Sequence, residues 1–289
     1  MKIFNSLDDI PDNHRPSSIT IGNFDGLHIG HIELLKNTIA LAKANNTVPV
    51  VLSFDPMPEE YFRNEYFFRL MSNTEKSGFI EDYGIEEIIL IPFNEKFSKM
   101  DKNKFIDEVL IKKLNAKHVV VGNDFRFGHK RIGDVKLLKS YGHDRGIEVT
   151  IVSLIEILGK KISSTNIREL LILGKISEAN SILGKPFSIQ GKIIHGEKVG
   201  RELGYPTANI EIYKSYPING IFLVEVLHEN SDKLYGLASI GNKPTFSGTN
   251  DVLEVFIFNF KLDIYGETIK VIFLEKIRDQ IKFNTKEEL

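Results

Sequence analysis

The sequence predicts two domains of different class: an α/β domain with a parallel sheet over residues 1–183, followed by an all-β antiparallel barrel or sandwich over residues 184–289. Three observations carry this. At roughly 150 residues per domain, a chain of 289 residues suggests two domains or one large one. Up to about residue 183, short β-branched runs alternate with amphipathic helical stretches, the pattern of a parallel sheet covered by helices. Beyond it, predicted strands follow one another with Gly, Pro, Asn and Asp between them and no helix of length, the pattern of a barrel or sandwich. The boundary falls at Leu183-Gly184-Lys185-Pro186, a helix stop followed by proline.

Taken in order, the first part offers strands at residues 18–22, 48–54, 87–91, 118–122 and 148–152. Helices are expected between them at 32–44, 73–83, 101–115 and 134–145. In open parallel sheets ligands bind beyond the carboxyl ends of the strands, so the residues just after each strand are expected to carry the chemistry. The second part offers strands at 187–194, 207–212, 221–227, 233–240, 253–260 and 268–274.

Composition excludes several classes. With no Cys, disulfides, thiolate catalysis, zinc ribbons and iron–sulfur clusters are excluded. The net charge is −2; residues 1–183 hold 24 of the 37 basic and 25 of the 39 acidic residues, so neither part has the basic excess of a nucleic-acid or anionic-membrane binder. The segment MKIFNSLDDIPDNH lacks an apolar core and carries Asp8, Asp9 and Asp12, so no signal peptide is expected. No stretch approaches the ~18 apolar residues of a membrane helix. The expectation is a cytoplasmic protein with small-molecule partners, no nucleic acid and no membrane, and with room for weak self-association.

The strongest local signal is Gly22-Asn23-Phe24-Asp25-Gly26-Leu27-His28-Ile29-Gly30-His31, directly after the first strand. A glycine-bearing turn running into a helix presents free backbone N–H groups, a natural anion site. His28 and His31 are three apart and share a helix face, with Gly30 leaving room for a phosphate. Two imidazoles there can donate charge-assisted hydrogen bonds. In isolation the pair would read as surface histidines beside a turn. A second candidate clamp is Ile162-Ser163-Ser164-Thr165-Asn166-Ile167-Arg168, where hydroxyls and free N–H groups open a helix and Arg168 follows one turn on. After the fourth strand, Asn123-Asp124-Phe125-Arg126 sets polar handles beside flat surfaces suited to an aromatic ring system.

These strings resemble known motifs. The first resembles the HxGH signature of the nucleotidyltransferase superfamily, the second its ISSTxIR triphosphate grip. With Phe54-Asp55-Pro56-Met57-Pro58 they look like the FMN adenylyltransferase module of bacterial bifunctional FAD synthetases, which implies a Rossmann-like fold. The family pattern there is FEPHP, where this chain has Asp55 and Met57. The resemblance implies nucleotide binding at Gly22, Phe24, Asp25, Gly26, Gly30, Ser163, Ser164, Thr165 and Arg168. It gives catalytic roles to His28 and His31 and flavin binding to Asn123, Asp124, Phe125 and Arg126.

In the second part, Gly200-Arg201-Glu202-Leu203-Gly204-Tyr205-Pro206-Thr207-Ala208-Asn209 closely matches the GRxLGFPTAN motif of riboflavin kinases. Thr207 and Asn209, two apart, project from one strand face, and their oxygens suit Mg²⁺ beside phosphates. The resemblance implies a barrel of riboflavin kinase type, with Gly200 and Gly204 at the nucleotide, Thr207 and Asn209 at the metal, Glu254 as catalytic base, and Arg278 and Phe283 at the flavin. The chain departs from that pattern at Phe222 (Tyr in the family), Lys243 (Arg), Phe256 (His) and Gln280 (Glu).

The implied activity is flavin cofactor synthesis: phosphorylation of riboflavin to FMN and adenylylation of FMN to FAD, with ATP as co-substrate and Mg²⁺ as cofactor. Rival readings are a monofunctional FMN adenylyltransferase whose barrel binds flavin or supports the fold, a flavin-binding regulator without turnover, and a nucleotidyltransferase for another substrate.

Overall fold

Five consecutive buried residues, Ser17–Ile21, mark the centre of the first sheet. A strand buried on both faces needs a paired strand on each side and helices above and below. The computed structural model supplies these, and it describes residues 1–62, 67–153, 156–157, 160–196, 205–212, 216, 218–228, 233–241, 252–260 and 262–281. It falls into two compact units, Met1–Ser163 and Ser164–Leu289.

In the first unit the strands are β1 (Lys2–Phe4), β2 (Ser17–Ile21), β3 (Val48–Phe54), β4 (Glu87–Ile91), β5 (Ala116–Gly122), two short strands β6 (Arg126–Phe127) and β7 (Gly133–Asp134), β8 (Glu148–Val152), and the pair β9 (Glu156–Ile157) and β10 (Lys160–Lys161). The main sheet has the order β1-β4-β3-β2-β5-β8 and is parallel throughout. Each strand expected there from the sequence forms. β1 is the addition, a three-residue edge too short to show periodicity.

The helices are α1 (Ile29–Asn45), α2 (Pro58–Tyr61), α3 (Asn73–Asp82), α4 (Glu95–Ser98), α5 (Lys102–Lys104) and α6 (Val135–His143). The expected 101–115 helix starts at Asp101, whose carboxylate accepts from Asn103 N and Lys104 N. It continues as a π-helix over Phe105–Lys113. Alternate strand residues feed two cores. Val50, Leu52, Ile89, Val119 and Leu110 belong to one; Val51, Ile88, Leu35 and Ile80 belong to the other. Two hydrophobic layers on opposite faces give the helix–sheet–helix stack that the alternation implies.

The chain runs β2, β3, β4 toward one edge, then crosses β2 to place β5 and β8 on the other side. The order reverses between β2 and β5, and the crevice at such a reversal is where open α/β sheets bind ligands.

In the second unit α7 (Ser164–Ile172) and α8 (Ile176–Leu183) precede six strands: β11 (Ser188–Ile194), β12 (Ala208–Ile210), β13 (Gly220–His228), β14 (Leu234–Gly241), β15 (Val252–Ile257) and β16 (Thr268–Arg278). They close into a barrel of order β11-β12-β15-β14-β13-β16, antiparallel at every seam. Closure removes exposed strand edges. Asn180 of α8 ties the helix to the barrel: its amide donates to Phe273 O at 3.0 Å and accepts from Phe187 N at 2.7 Å.

One buried ion pair pins the start of β4. His14 Nε2 donates to Glu87 Oε2 at 2.8 Å while its Nδ1 donates to Arg15 O at 2.8 Å. A ring donating at both nitrogens is an imidazolium. The hydrogen bond from Glu87 raises the His14 pKa, and the same bond lowers that of Glu87. The His14 contribution is fully present below 6.5 and is lost as pH rises through the raised folded value. The Glu87 contribution is fully present above 4.5 and is lost as pH falls. Glu87→Gln should therefore lower stability by about 3–5 kcal/mol. Urea unfolding should show the loss largest between pH 4.5 and 6.5 and smaller on either side; a loss independent of pH would contradict the ion pair.

Candidate active sites

The turn from β2 into α1 bends sharply. Phe24 (φ 51°), Gly26 (φ 81°) and Leu27 (φ 47°) lie in the left-handed region, where a non-glycine residue costs about 1–3 kcal/mol. Phe24 and Leu27 are held there by burying their side chains, 0% and 1% exposed, in the core beneath α1. His28 then caps α1, and its Nδ1 accepts from His31 N at 3.3 Å. The ring proton therefore sits on Nε2, which is left as a donor. The His28 and His31 rings stack with centroids 3.6 Å apart.

Burial lowers the His28 pKa from 6.5 to about 4, against smaller raising effects from its own backbone and from Asp124. At neutral pH this imidazole is uncharged and offers a neutral Nε2–H, so a hydrogen bond from it to a phosphate would take its charge assistance from the anion. A Cβ at Gly30 would stand 3.2 Å from His28 Cε1 and Nδ1, so its missing side chain makes room for the His28 ring.

The other residues of this turn brace it. Asp25, 1% exposed, accepts Leu70 N at 2.9 Å and 3.1 Å. Phe24 and Asp25 thus point their side chains into the protein. Asn23 Nδ2 donates to Glu59 Oε2 at 2.8 Å.

At the same carboxyl edge of the sheet lies a cavity of about 430 Å³. Its walls come from the ends of β2 (Ile21), β3 (Phe54) and β5 onward (Phe125, Arg126, Phe127), with Phe62, Phe93 and Phe97 completing an aromatic lining. Phe54 meets Phe93 edge-on at 5.8 Å, and Phe125 stacks on Phe127 at 5.5 Å. Lys130 and Arg131 line the cavity as well. An aromatic slot with cations in its wall suits a flat ring system bearing an anionic tail. Phe125 and Arg126 fall in it as expected. Asn123 and Asp124 are not among its lining residues; the Asp124 carboxylate acts on His28 instead. Sequence reading missed Phe62, Phe93, Phe97, Lys130 and Arg131, which lie away from any glycine-marked motif.

The second clamp divides at the unit boundary. Ser163 ends the first unit; Ser164, Thr165 and Arg168 belong to the second, where α7 starts at Ser164 as expected and Arg168 is buried.

In the barrel, Thr207 and Asn209 line a cavity of about 380 Å³ with Gly196, Asp263 and Tyr265. Asn209 lies opposite Glu254, which lies opposite Ser239. Leu253 and Val255 are fully buried, so Glu254 and Phe256 alternate onto the outer face. Gly196 packs against the Asn209 amide so closely that a Cβ would stand 2.1 Å from Nδ2. Arg278 is exposed at the end of β16. Gly200, Gly204, Lys243 and Phe283 lie outside the described residues.

Residues 10–166 match the family model for FAD synthetase and residues 183–289 that for riboflavin kinase. The bifunctional riboflavin kinase/FMN adenylyltransferase of Buchnera aphidicola from Schizaphis graminum is 42% identical, covering 100% of this chain and 94% of the relative. That of Escherichia coli K12 is 36% identical over 94% and 87%. The chain belongs to this bifunctional family. A crystal structure of a Streptococcus pneumoniae protein described as a macrolide-efflux protein has the same fold, with a TM-score of 0.86 and 33% identity over 99% of this chain and 93% of that one. Among the described residues, no helix is long and apolar enough to cross a membrane.

Among the described residues, four departures from the family pattern have local explanations. Phe222 is fully buried against Phe273, ring centroids 5.3 Å apart, so its ring fills core space. Phe256 meets Tyr205 edge-on at 5.4 Å, steadying the chain just before Thr207. Gln280 donates to Ser239 Oγ at 3.0 Å and so reaches the row that holds Glu254. Met57, 1% exposed, is a core side chain.

A titration followed by NMR tests the imidazole assignments. His28 should titrate near 4 and His14 above 6.5, and Asp124→Asn should move His28 lower still. A His28 midpoint at or above 6.5 would contradict its burial as a neutral donor.

Proposed function

We propose that this chain makes FAD from riboflavin in two ATP-dependent steps, one in each unit. In the barrel, the riboflavin 5′-hydroxyl attacks the γ-phosphorus of ATP and releases ADP. Glu254, on the outer row beside Asn209, accepts the hydroxyl proton. In the α/β unit, the FMN phosphate attacks the α-phosphorus of ATP and releases pyrophosphate, with no covalent enzyme intermediate.

In this reading the free N–H groups opening α1, the neutral His28 Nε2–H and His31 hold the phosphates where charge develops. The aromatic cavity takes the isoalloxazine ring, with Phe125 stacked on Phe127 as one wall. Gly22, Phe24, Asp25 and Gly26 act through the turn they shape, and Ser163, Ser164, Thr165 and Arg168, where α7 opens, are phosphate donors by residue type. The observation that carries the reading is the placement of the histidine-capped helix start and the aromatic cavity at one carboxyl edge of one sheet.

Mg²⁺ belongs to the barrel site. The Thr207 hydroxyl and Asn209 amide oxygen are hard donors lining one cavity with the Asp263 carboxylate, a set that fits the ion together with substrate phosphates. When bound, the ion supplies neutralisation of developing phosphate charge. Thr207 and Asn209 orient the nucleotide, and Gly196 keeps the Asn209 amide in place. A cytoplasmic setting, where ATP and the flavins are found, completes the reading, with ATP, riboflavin, FMN and FAD as small-molecule partners.

Product analysis with ATP, Mg²⁺ and riboflavin should give FMN and then FAD. His28→Ala should cut FAD formation by ~10²–10³-fold and leave riboflavin phosphorylation intact. Glu254→Gln should do the reverse, cutting FMN formation by ~10²–10⁴-fold. No FMN from riboflavin with the unaltered chain would reduce the function to adenylylation alone, and no FAD from supplied FMN would overturn the reading.

A further inference from the structure

Beneath the β2–α1 turn lies a buried cation that neither catalytic step uses. Lys76, in the first turn and a half of α3, is 1% exposed. Its Nζ donates to Ser53 Oγ at 3.2 Å and to Asn23 O at 3.4 Å. Ser53 Oγ donates to the same Asn23 carbonyl at 3.2 Å. Asn23 directly precedes Phe24, the first left-handed residue of the turn. Two donors therefore converge on the carbonyl from which the strained backbone departs.

The surroundings explain why a lysine can be buried here. Asp25 comes from the turn, Asp55 from the end of β3 and Glu60 from α2. Arg69 donates to Asp55 and Glu60 through one Nη at 2.5 Å each. Three carboxylates against Arg69 and Lys76 leave one net negative charge, and removing the lysine charge would leave two. An anionic surplus, buried at Asp25 and part-exposed at Asp55, would then sit under a turn that has to receive phosphates.

We propose that Lys76 is a positioning residue for adenylyl transfer: its ammonium fixes the Asn23 carbonyl and offsets the acid cluster, so that the turn keeps its N–H groups and the His28–His31 pair aimed at the ATP phosphates. This rests on the adenylyltransferase reading above. Burial, and then the charge of Arg69, lower the Lys76 pKa from 10.5 to about 8, against the carboxylates Asp25, Asp55 and Glu60, which raise it. The positioning charge is therefore lost just above neutral pH, which a purely space-filling side chain would not register.

The absence of Cys gives a clean test. Lys76→Cys, alkylated in denaturant with bromoethylamine and refolded, carries an ammonium of nearly lysine length whose pKa the thioether lowers. Alkylation with bromopropane gives the same shape without charge. The aminoethylated chain should form FAD with an alkaline limb at lower pH than the unaltered enzyme, whose rate should fall as pH rises through about 8. The propylated chain, and Lys76→Met made directly, should lose about 10- to 100-fold in kcat/KM for ATP, the scale of a hydrogen bond to a charged group. FMN binding, followed by quenching of flavin fluorescence, should stay within a factor of about two, and an unchanged far-UV circular dichroism spectrum reports that the chain is folded.

Parent-like kcat/KM for ATP in Lys76→Met or in the propylated chain would overturn the proposal. So would an alkaline limb of the unaltered enzyme that is absent, or one that aminoethylation does not shift. The unaltered-enzyme profile decides even if no variant folds. If the unaltered chain forms no FAD at any pH, the adenylyltransferase reading fails instead.

Discussion

The left-handed turn between β2 and α1 is the constraint on which the first unit depends. A strand buried on both faces has to leave the sheet abruptly, and here the exit passes through Phe24 and Leu27 in a conformation that L-residues avoid. Such a turn persists only where its surroundings over-determine it. The Phe24 and Leu27 side chains are clamped in the core, the Asp25 carboxylate is taken by the Leu70 N–H, and the Asn23 carbonyl receives Lys76 and Ser53. The histidine at the helix start inherits its position from all of these. Strain at the turn and order at the site have the same origin.

Much of this was legible from the residues, and the limit is instructive. The alternation of β-branched runs with amphipathic stretches located the five longer parallel strands: β2, β3, β4 and β5 are buried along nearly all their length and write apolar runs, whereas the edge strand β8 shows only as a β-branched run. The barrel strands were legible for the opposite reason: β11 alternates buried and exposed positions as a one-sided strand must. β1 was not legible, since three residues carry no period. Gly30 was legible as important but its packing against His28 was not, because a one-dimensional string does not say which neighbour occupies the space a glycine leaves. The aromatic cavity was half legible. Phe125 and Arg126 follow a strand, where a ligand is expected; Phe62 follows α2, while Phe93 and Phe97 lie after β4, two segments that only the sheet order brings beside them.

The barrel shows how substitutions can change a motif's letters while keeping its geometry. Phe222 fills the core, Phe256 packs on Tyr205, and Gln280 reaches Ser239 beside Glu254. None of these removes Asn209 or Glu254 from their facing positions across β12 and β15. A side chain that fills space tolerates exchange for another of similar volume, whereas a register position does not.

That register has a mechanical side. β12 has three residues, and its ladder to β11 pairs Ile193 with Ile210 and Ile194 with Asn209. Among the described residues every other seam of the cylinder has at least three pairs, and the β13–β16 seam has eight. Opening a closed sheet is cheapest at its shortest ladder, so amide exchange should be fastest here. Asn209 stands on this short ladder. A ligand held by that residue would act as a rivet across the gap, and filling the cavity would stiffen the whole cylinder by joining its one weak stave to its neighbours.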